Sequence, residues 1–303
     1  MEPRTKSSWL PTALANRVRT LKTFSYNPRL LLVVRRLRLS GALRMCYQWA
    51  TGGKQNILKV KIGRFDVLYH VRSAHEYRVT EQSFVSSYET DFFDVLLSSL
   101  AEGDIFLDVG SSIGEFTVPV AKLVGSAGLV LAVEAETSIC ARLEANLKLN
   151  GLSNVRIFRT ALGDECRESL LAWKDGSCPS LVGVSKEDQQ ALSEGAPTAT
   201  DGLEVVNIEI GDQLMDREHL PTPKAVKIDV EGFEFQVIRG LSRTLSNPSC
   251  RLVCCEIHPS LLPNGTTAQL IIDEVKSLGF SDMVLRERLG QVHMIARKDD
   301  SQA

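Results

Sequence analysis

The sequence has almost no net charge, no CxxC cysteine pair and no long apolar run, and each absence removes a class of protein. A formal charge of −2 over 303 residues leaves no global field to attract nucleic acid. No nucleic-acid partner is therefore expected. The seven cysteines are Cys46, Cys140, Cys166, Cys178, Cys250, Cys254 and Cys255. They form no CxxC pair, are odd in number and fall partly inside apolar runs, which argues against a disulfide framework or a cysteine zinc site. Reduced thiols fit better. No stretch reaches the roughly 18 consecutive apolar residues that spanning a bilayer requires. Met1 to Ser8 lead into no apolar signal core, so the chain is expected to be cytoplasmic. The full GxGxxG fingerprint of dinucleotide sites is missing too, and no internal repeat is visible.

What is present is ordinary globular chemistry: 44% hydrophobic residues with 24% charged is not the balance of a disordered chain. Its length suffices for one large core or two modest ones. Residues 1–54 form a basic segment in which Arg29 to Leu39 mixes apolar and basic side chains at helical spacing. The preferred reading packs those leucines on the main domain while the arginines snorkel to water. The alternative is peripheral contact of residues 28–44 with an anionic membrane surface.

Residues 55–100 read as a β-hairpin, from the alternation of Lys59 to Tyr69 about Gly63, and a helix from Phe84 to Leu100. From 101 to 298 short apolar strands alternate with helices. Strands are expected at Ile105–Val109, Leu129–Val133, Val155–Phe158, Ala225–Val230, Leu252–Ile257, Asp282–Arg286 and Val292–Ala296. Helices are expected at Thr117–Val124, Ser138–Leu149, Phe235–Leu245 and Thr267–Leu278. Such alternation predicts an α/β domain with a largely parallel sheet covered on both faces. Ligands of such sheets bind beyond the carboxyl ends of the strands. The polar stretch Glu165 to Thr200 is too long for a simple connection and reads as a hairpin plus a loop.

Asp108-Val109-Gly110-Ser111-Ser112-Ile113-Gly114 lies where the first core strand turns into a helix. Gly110 permits the sharp turn and close approach of a ligand, while Gly114 lets the helix begin against its neighbours. A carboxylate at the strand end suits a cationic ligand group and repels a pyrophosphate. Glu134, ending the next strand, is placed to accept hydrogen bonds from ribose hydroxyls. Together these point to S-adenosylmethionine rather than a dinucleotide.

With these residues in view, the chain resembles the FkbM family of methyltransferases. The resemblance runs through Tyr88-Glu89, Asp108 to Gly114, Ala132-Val133-Glu134, Asn146, Leu149-Asn150, Asn154-Val155, Ala161 to Asp164, Lys227 to Gly232 and Glu256 to Pro259, over about residues 56–297. It implies a class I methyltransferase sheet of about seven strands, mostly parallel with an antiparallel last strand. It also implies S-adenosylmethionine as cofactor and, as acceptor, a hydroxyl of a small molecule or glycan. Asp108 and Gly110 would face the methionine part, Glu134 the ribose, and Ala161 and Leu162 the adenine. Two departures stand out: Ser111-Ser112 replaces the family's usual Ala-Asn pair, and Ala135-Glu136 follows Glu134 where a proline is usual.

For methyl transfer to a hydroxyl the protein must align the acceptor and help remove its proton. Asp229, Glu231 and His258 are the candidate bases, His258 because a free imidazole titrates near neutrality. Lys227 stands on the same strand face as Asp229, and either assists it or simply pairs with it. Glu231 could instead cap the following helix, and Glu256 could pair across the sheet. Glu89 and Trp173 are candidate acceptor contacts. Asp229, Glu231, Glu256 and His258 could also gather a divalent metal, which the sequence does not demand. The competing function is a methyltransferase-fold binding or membrane-associated assembly protein without catalysis. A nicotinamide dehydrogenase is a distant third.

Overall fold

The computed structural model describes residues 56–71, 90–173, 180–182 and 202–299. The basic segment 1–54, with the helix and the membrane contact expected within it, and Glu89 lie outside the described residues. Among the described residues no helix is long and apolar enough to cross a membrane.

The hairpin is β1 (Asn56–Ile62) and β2 (Phe65–Val71), turning at Gly63 with φ +55°. Its alternation sends Leu58, Val60, Ile62, Val67, Tyr69 and Val71 inward. Part of the expected second helix follows as α1 (Thr90–Ser99). The core strands then come where periodicity placed them: β3 (Ile105–Val109), β4 (Leu129–Val133) and β5 (Val155–Phe158). Helices α2 (Thr117–Val124) and α3 (Thr137–Leu149) separate them.

The seven-stranded sheet is completed by β10 (Ala225–Ile228), β11 (Leu252–Ile257), β12 (Asp282–Arg288) and β13 (Gln291–Arg297), in the order β12-β13-β11-β10-β3-β4-β5. Pairings from β11 to β5 are all parallel, and β13 runs antiparallel to β11. Side-chain alternation divides the core in two. Phe106, Val130, Ala132, Cys254 and Ile295 face the hairpin, α1 and α2, while Leu107, Val109, Ile228, Val253 and Met294 face the opposite layer. That layer holds α4 (Gly211–Arg217), α5 (Glu234–Gly240), α6 (Ser242–Ser246) and α7 (Ala268–Ser277).

Two expectations need correction. The helix expected over Phe235–Leu245 is broken at Leu241 into α5 and α6, and just before the break Gly240 lies directly on Gly163, where a Cβ would meet the Gly163 carbonyl oxygen at 1.8 Å. The strand expected to reach Val230 ends at Ile228, where the chain turns into left-handed backbone at Glu231 (φ 53°) and Gly232 (φ 99°).

A second, four-stranded sheet, ordered β6-β9-β7-β8, is built from β6 (Ala161–Gly163), β7 (Arg167–Trp173), β8 (Ser180–Val182) and β9 (Gly202–Ile210). Strands β7 and β8 are the hairpin expected after Glu165; β6 and β9 were not expected. In β9 the apolar face switches at the adjacent pair Val205, exposed, and Val206, buried, which blurs the period of two. Cys140, Cys250, Cys254 and Cys255 are buried free thiols, and Cys166 is an exposed one. Burial pushes the thiols of Cys140, Cys250 and Cys254 up to about 12, which keeps them protonated and unreactive.

The hairpin joins the core through two asparagines of α3 and its cap. Asn146, 1% exposed, accepts from the His70 amide at 2.8 Å and donates to the Ile113 carbonyl at 2.9 Å. Asn150 accepts from the Leu68 amide at 3.0 Å and donates to the Leu68 carbonyl at 2.7 Å. They satisfy the free edge of β2 and tie it to the glycine loop. Asn146→Leu keeps the branched shape but leaves the His70 amide and the Ile113 carbonyl unpaired, so urea unfolding should show a loss of about 2–4 kcal/mol. A loss below about 0.5 kcal/mol would mean that the hairpin is not anchored this way.

Candidate active site

A cleft of about 170 Å³ opens beyond the carboxyl ends of β3, β4 and β10. One wall is the glycine loop, in which the Gly110 and Ser111 amides both donate to the Val133 carbonyl at 3.0 Å. Gly110 is left-handed (φ 78°), and a Cβ on it would lie 1.8 Å from the Asp229 carbonyl oxygen. The close approach that demands glycine is thus to the neighbouring strand end, whereas the sequence suggested a ligand. Gly114 (φ 95°) packs against Leu143 and Val118, as a crowded helix start requires.

Ser112 is also left-handed (φ 48°), a conformation costly for residues other than glycine, asparagine and aspartate. Its amide donates to Glu134 Oε2 at 2.9 Å, and the Glu136 amide donates to Glu134 Oε1 at 3.0 Å. Burial raises the Glu134 carboxyl above its ordinary value, against the pull of these amides. Each oxygen keeps a second lone pair for a ligand hydroxyl.

Among the expected cofactor contacts, Gly110, Ser112, Glu134, Ala161 and Leu162 line the cleft. Asp108 and Gly114 do not. Asp108 is fully buried behind the loop, where its Oδ2 accepts from the Thr117 hydroxyl at 2.6 Å and its Oδ1 has no hydrogen-bond partner. Burial pushes its carboxyl up to about 6. The carboxylate that faces the cleft from this loop is Glu115, raised to about 7, again chiefly by burial. Its signal in the sequence was an acidic residue placed between Gly114 and Phe116, otherwise an apolar helix start.

Asp229 and Glu231 line the cleft beside the loop, and Lys227, His258 and Glu256 lie behind them, each 6% exposed or less. Lys227 Nζ, over the Phe116 ring at 4.7 Å, pairs with Asp229 Oδ2 at 3.0 Å. His258 Nδ1 lies 2.7 Å from Glu234 Oε1. Its Nε2 faces Glu231 Oε2 at 3.6 Å, Asp229 Oδ1 at 3.8 Å and Glu256 Oε1 at 3.9 Å. Burial pulls the imidazole down, but the Glu234 hydrogen bond and the charges of Asp229 and Glu231 outweigh it and lift it to about 9. A ring that keeps its proton to about pH 9 offers no free lone pair at neutral pH, which argues against the expectation that His258 serves as base.

Asp229, Glu231 and His258 bring one donor atom each within 4.8 Å of one another, while Glu256 Oε1 lies 3.9 Å from His258 Nε2 and 3.5 Å from His293 Nε2. A metal ion there would have to displace the ring proton. Trp173 ends β7, and its side chain lies outside the described residues; Leu171 on the same strand and Leu181 on β8 reach the cleft. Sequence reasoning missed Glu115, Glu234 and His293, and the Glu231-Gly232-Phe233-Glu234 run hid Glu234 as an ordinary helix-start residue.

The strand order and the antiparallel β13 define a class I methyltransferase fold. The domain described as methyltransferase FkbM domain matches residues 108–281, and the chain belongs to that family. It is 27% identical over 183 residues to the hexuronic acid methyltransferase AglP of Haloferax volcanii, covering 60% of this chain and 67% of that protein. It is also 27% identical over 130 residues to the 23S rRNA (uracil(1939)-C(5))-methyltransferase RlmD of Psychrobacter arcticus, covering 38% of this chain and 25% of that one. Among solved structures, Aeropyrum pernix fibrillarin in complex with S-adenosyl-L-methionine overlaps with a TM-score of 0.39 at 12% identity, covering 65% of this chain and 67% of that one.

Two outcomes follow from the geometry. Ser112→Asn, which tolerates left-handed backbone, should raise stability by about 0.5–1 kcal/mol in chemical denaturation; a loss would show that the serine hydroxyl has an essential partner. His258 holds its proton to about pH 9 when folded, against an ordinary value of 6.5. Its contribution is therefore complete below about pH 6.5 and lost as the pH rises through 9. The Tm of the wild type should fall more steeply across that window than that of His258→Gln, and parallel curves would contradict the assignment.

Proposed function

We propose that this chain transfers a methyl group from S-adenosylmethionine to a hydroxyl of a sugar or other small molecule. The observation that carries this reading is the charge of the cleft wall. Glu115, Glu134, Asp229 and Glu231 line it, and among the described residues no lysine, arginine or histidine does. A wall of that sign favours a cationic ligand and disfavours a pyrophosphate or a nucleic-acid backbone. Glu134 has acceptor capacity for a ribose, and Ile139, Leu162, Leu171 and Phe233 offer an apolar slot for a base ring. When bound, the cofactor supplies an electrophilic methyl on a sulfonium.

The chain's own part is to bring the acceptor oxygen into line and to receive its proton as the O–C bond forms. Asp229 is the proposed base. It reaches the cleft beside Gly110, and Lys227 on Oδ2 holds it oriented. His258, as imidazolium, steadies the other oxygen, and Glu231 faces the same space. The similarity to a hexuronic acid methyltransferase supports a sugar hydroxyl as acceptor and a catalytic rather than a purely binding role.

Calorimetry with S-adenosylhomocysteine tests the cofactor half: Glu134→Ala should weaken binding about 10- to 100-fold, the loss of hydrogen bonds to a charged group. No binding by the wild type would refute the proposal. Asp229→Asn should keep that affinity within about threefold while lowering kcat about 10²- to 10⁴-fold on a responsive sugar acceptor. Unchanged turnover would remove Asp229 as the base.

A further inference from the structure

Glu234 is a charged group buried where a helix start does not need one. It opens α5, is 0% exposed, and uses only Oε1, which accepts from the Gly232 amide at 2.9 Å and meets His258 Nδ1 at 2.7 Å. Oε2 has no hydrogen-bond partner. A serine or asparagine would satisfy the Gly232 amide without burying a charge. The unexplained part of the arrangement is therefore the contact with His258.

The two turns that meet here are held rigidly. Glu231 and Gly232 are both left-handed, and a Cβ on Gly232 would lie 2.4 Å from the Leu261 carbonyl oxygen. The Leu261 amide in turn donates to the His258 carbonyl at 2.9 Å. Glu234 lies beneath both turns and fixes one ring nitrogen, which leaves the other aimed at Asp229 and Glu231. A bare Nε2 lone pair facing three carboxylate oxygens at 3.6–3.9 Å would be repelled by all of them, so that nitrogen carries hydrogen. With Nδ1 donating to Glu234 as well, the ring is doubly protonated, and the buried carboxylate balances the second proton.

We infer that Glu234 is a positioning residue that acts through His258, fixing the imidazolium so that its Nε2–H holds Asp229 and Glu231 in one orientation toward the cleft. Asp229 is then steadied on both oxygens, by Lys227 on Oδ2 and by His258 beyond Oδ1. The inference rests on the proposed role of Asp229, but the state of the His258 ring can be read without turnover.

The test is Glu234→Gln, which keeps shape and one acceptor and removes the charge. Nitrogen-15 NMR of the full chain, with His258 assigned by the His258→Gln spectrum, should show a doubly protonated ring in the wild type at pH 7.5. In Glu234→Gln it should show a neutral ring. In turnover, kcat should fall about 10- to 100-fold, while KM for S-adenosylmethionine stays within about twofold. Adding Glu234→Gln to His258→Gln should cost nothing further, because both remove one linkage. Should Glu234→Gln fail to fold, Glu234→Asp, which withdraws the charge by one methylene, should give the same selective loss of kcat. An unchanged His258 spectrum in Glu234→Gln, or losses that add in the double variant, would overturn the inference. If the wild type transfers no methyl, it is the proposed function that fails, and the spectra still decide the role of Glu234.

Discussion

The structure depends on one electrostatic constraint: carboxylates gathered at the carboxyl edge of a parallel sheet with too few cations to balance them. Asp108, Asp229, Glu231, Glu234 and Glu256 crowd about Lys227 and His258 within a few side chains of the cleft. Burying charge is costly unless it is paired, and here the deficit falls on the open side. Burial raises the Asp108 and Glu115 carboxyls, and the crowd of carboxylates lifts the His258 imidazole. A cationic ligand would supply what the protein lacks.

The scaffold exists to hold that edge still. Parallel strands bring Asp108 and Lys227 into register on adjacent strands, and antiparallel β13 brings His293 opposite Glu256. Backbone crowding then sets the turns: Gly110 against Asp229, Gly232 against Leu261, Gly240 against Gly163. Each contact forbids a side chain, so the spacing of glycines in the sequence traces where two loops touch. The hairpin adds a lid of a different kind, with Tyr69 donating to the Glu115 carbonyl at 3.2 Å from outside the sheet.

Much of this was legible in the residues. All five parallel strands follow from short apolar runs and their order, because strands buried on both faces leave a continuous apolar signal, while the antiparallel ending was implied by the family resemblance. The glycine loop, Glu134 and the Asp229–Gly232 and Glu256–Pro259 boxes were found because they sit at strand ends. Side-chain state was not legible. His258 read as a near-neutral base from its type, but three-dimensional neighbours from two other loops decide its charge. Asp108 read as a ligand contact, yet Thr117, nine residues on, turns it inward. The second sheet escaped because β9 exposes Leu203 and Val205 while burying Val206 and Ile208.

The central claim is that the cleft is built for a cation carrying a nucleoside. Equilibrium dialysis of the full chain against S-adenosylmethionine and, in parallel, against NAD tests it most directly. The account predicts saturable, micromolar-range binding of S-adenosylmethionine that weakens as the pH falls through about 7 and Glu115 takes up its proton, with no measurable binding of the dinucleotide. Dinucleotide binding as tight as that of S-adenosylmethionine, or S-adenosylmethionine affinity unchanged down to pH 5, would contradict it.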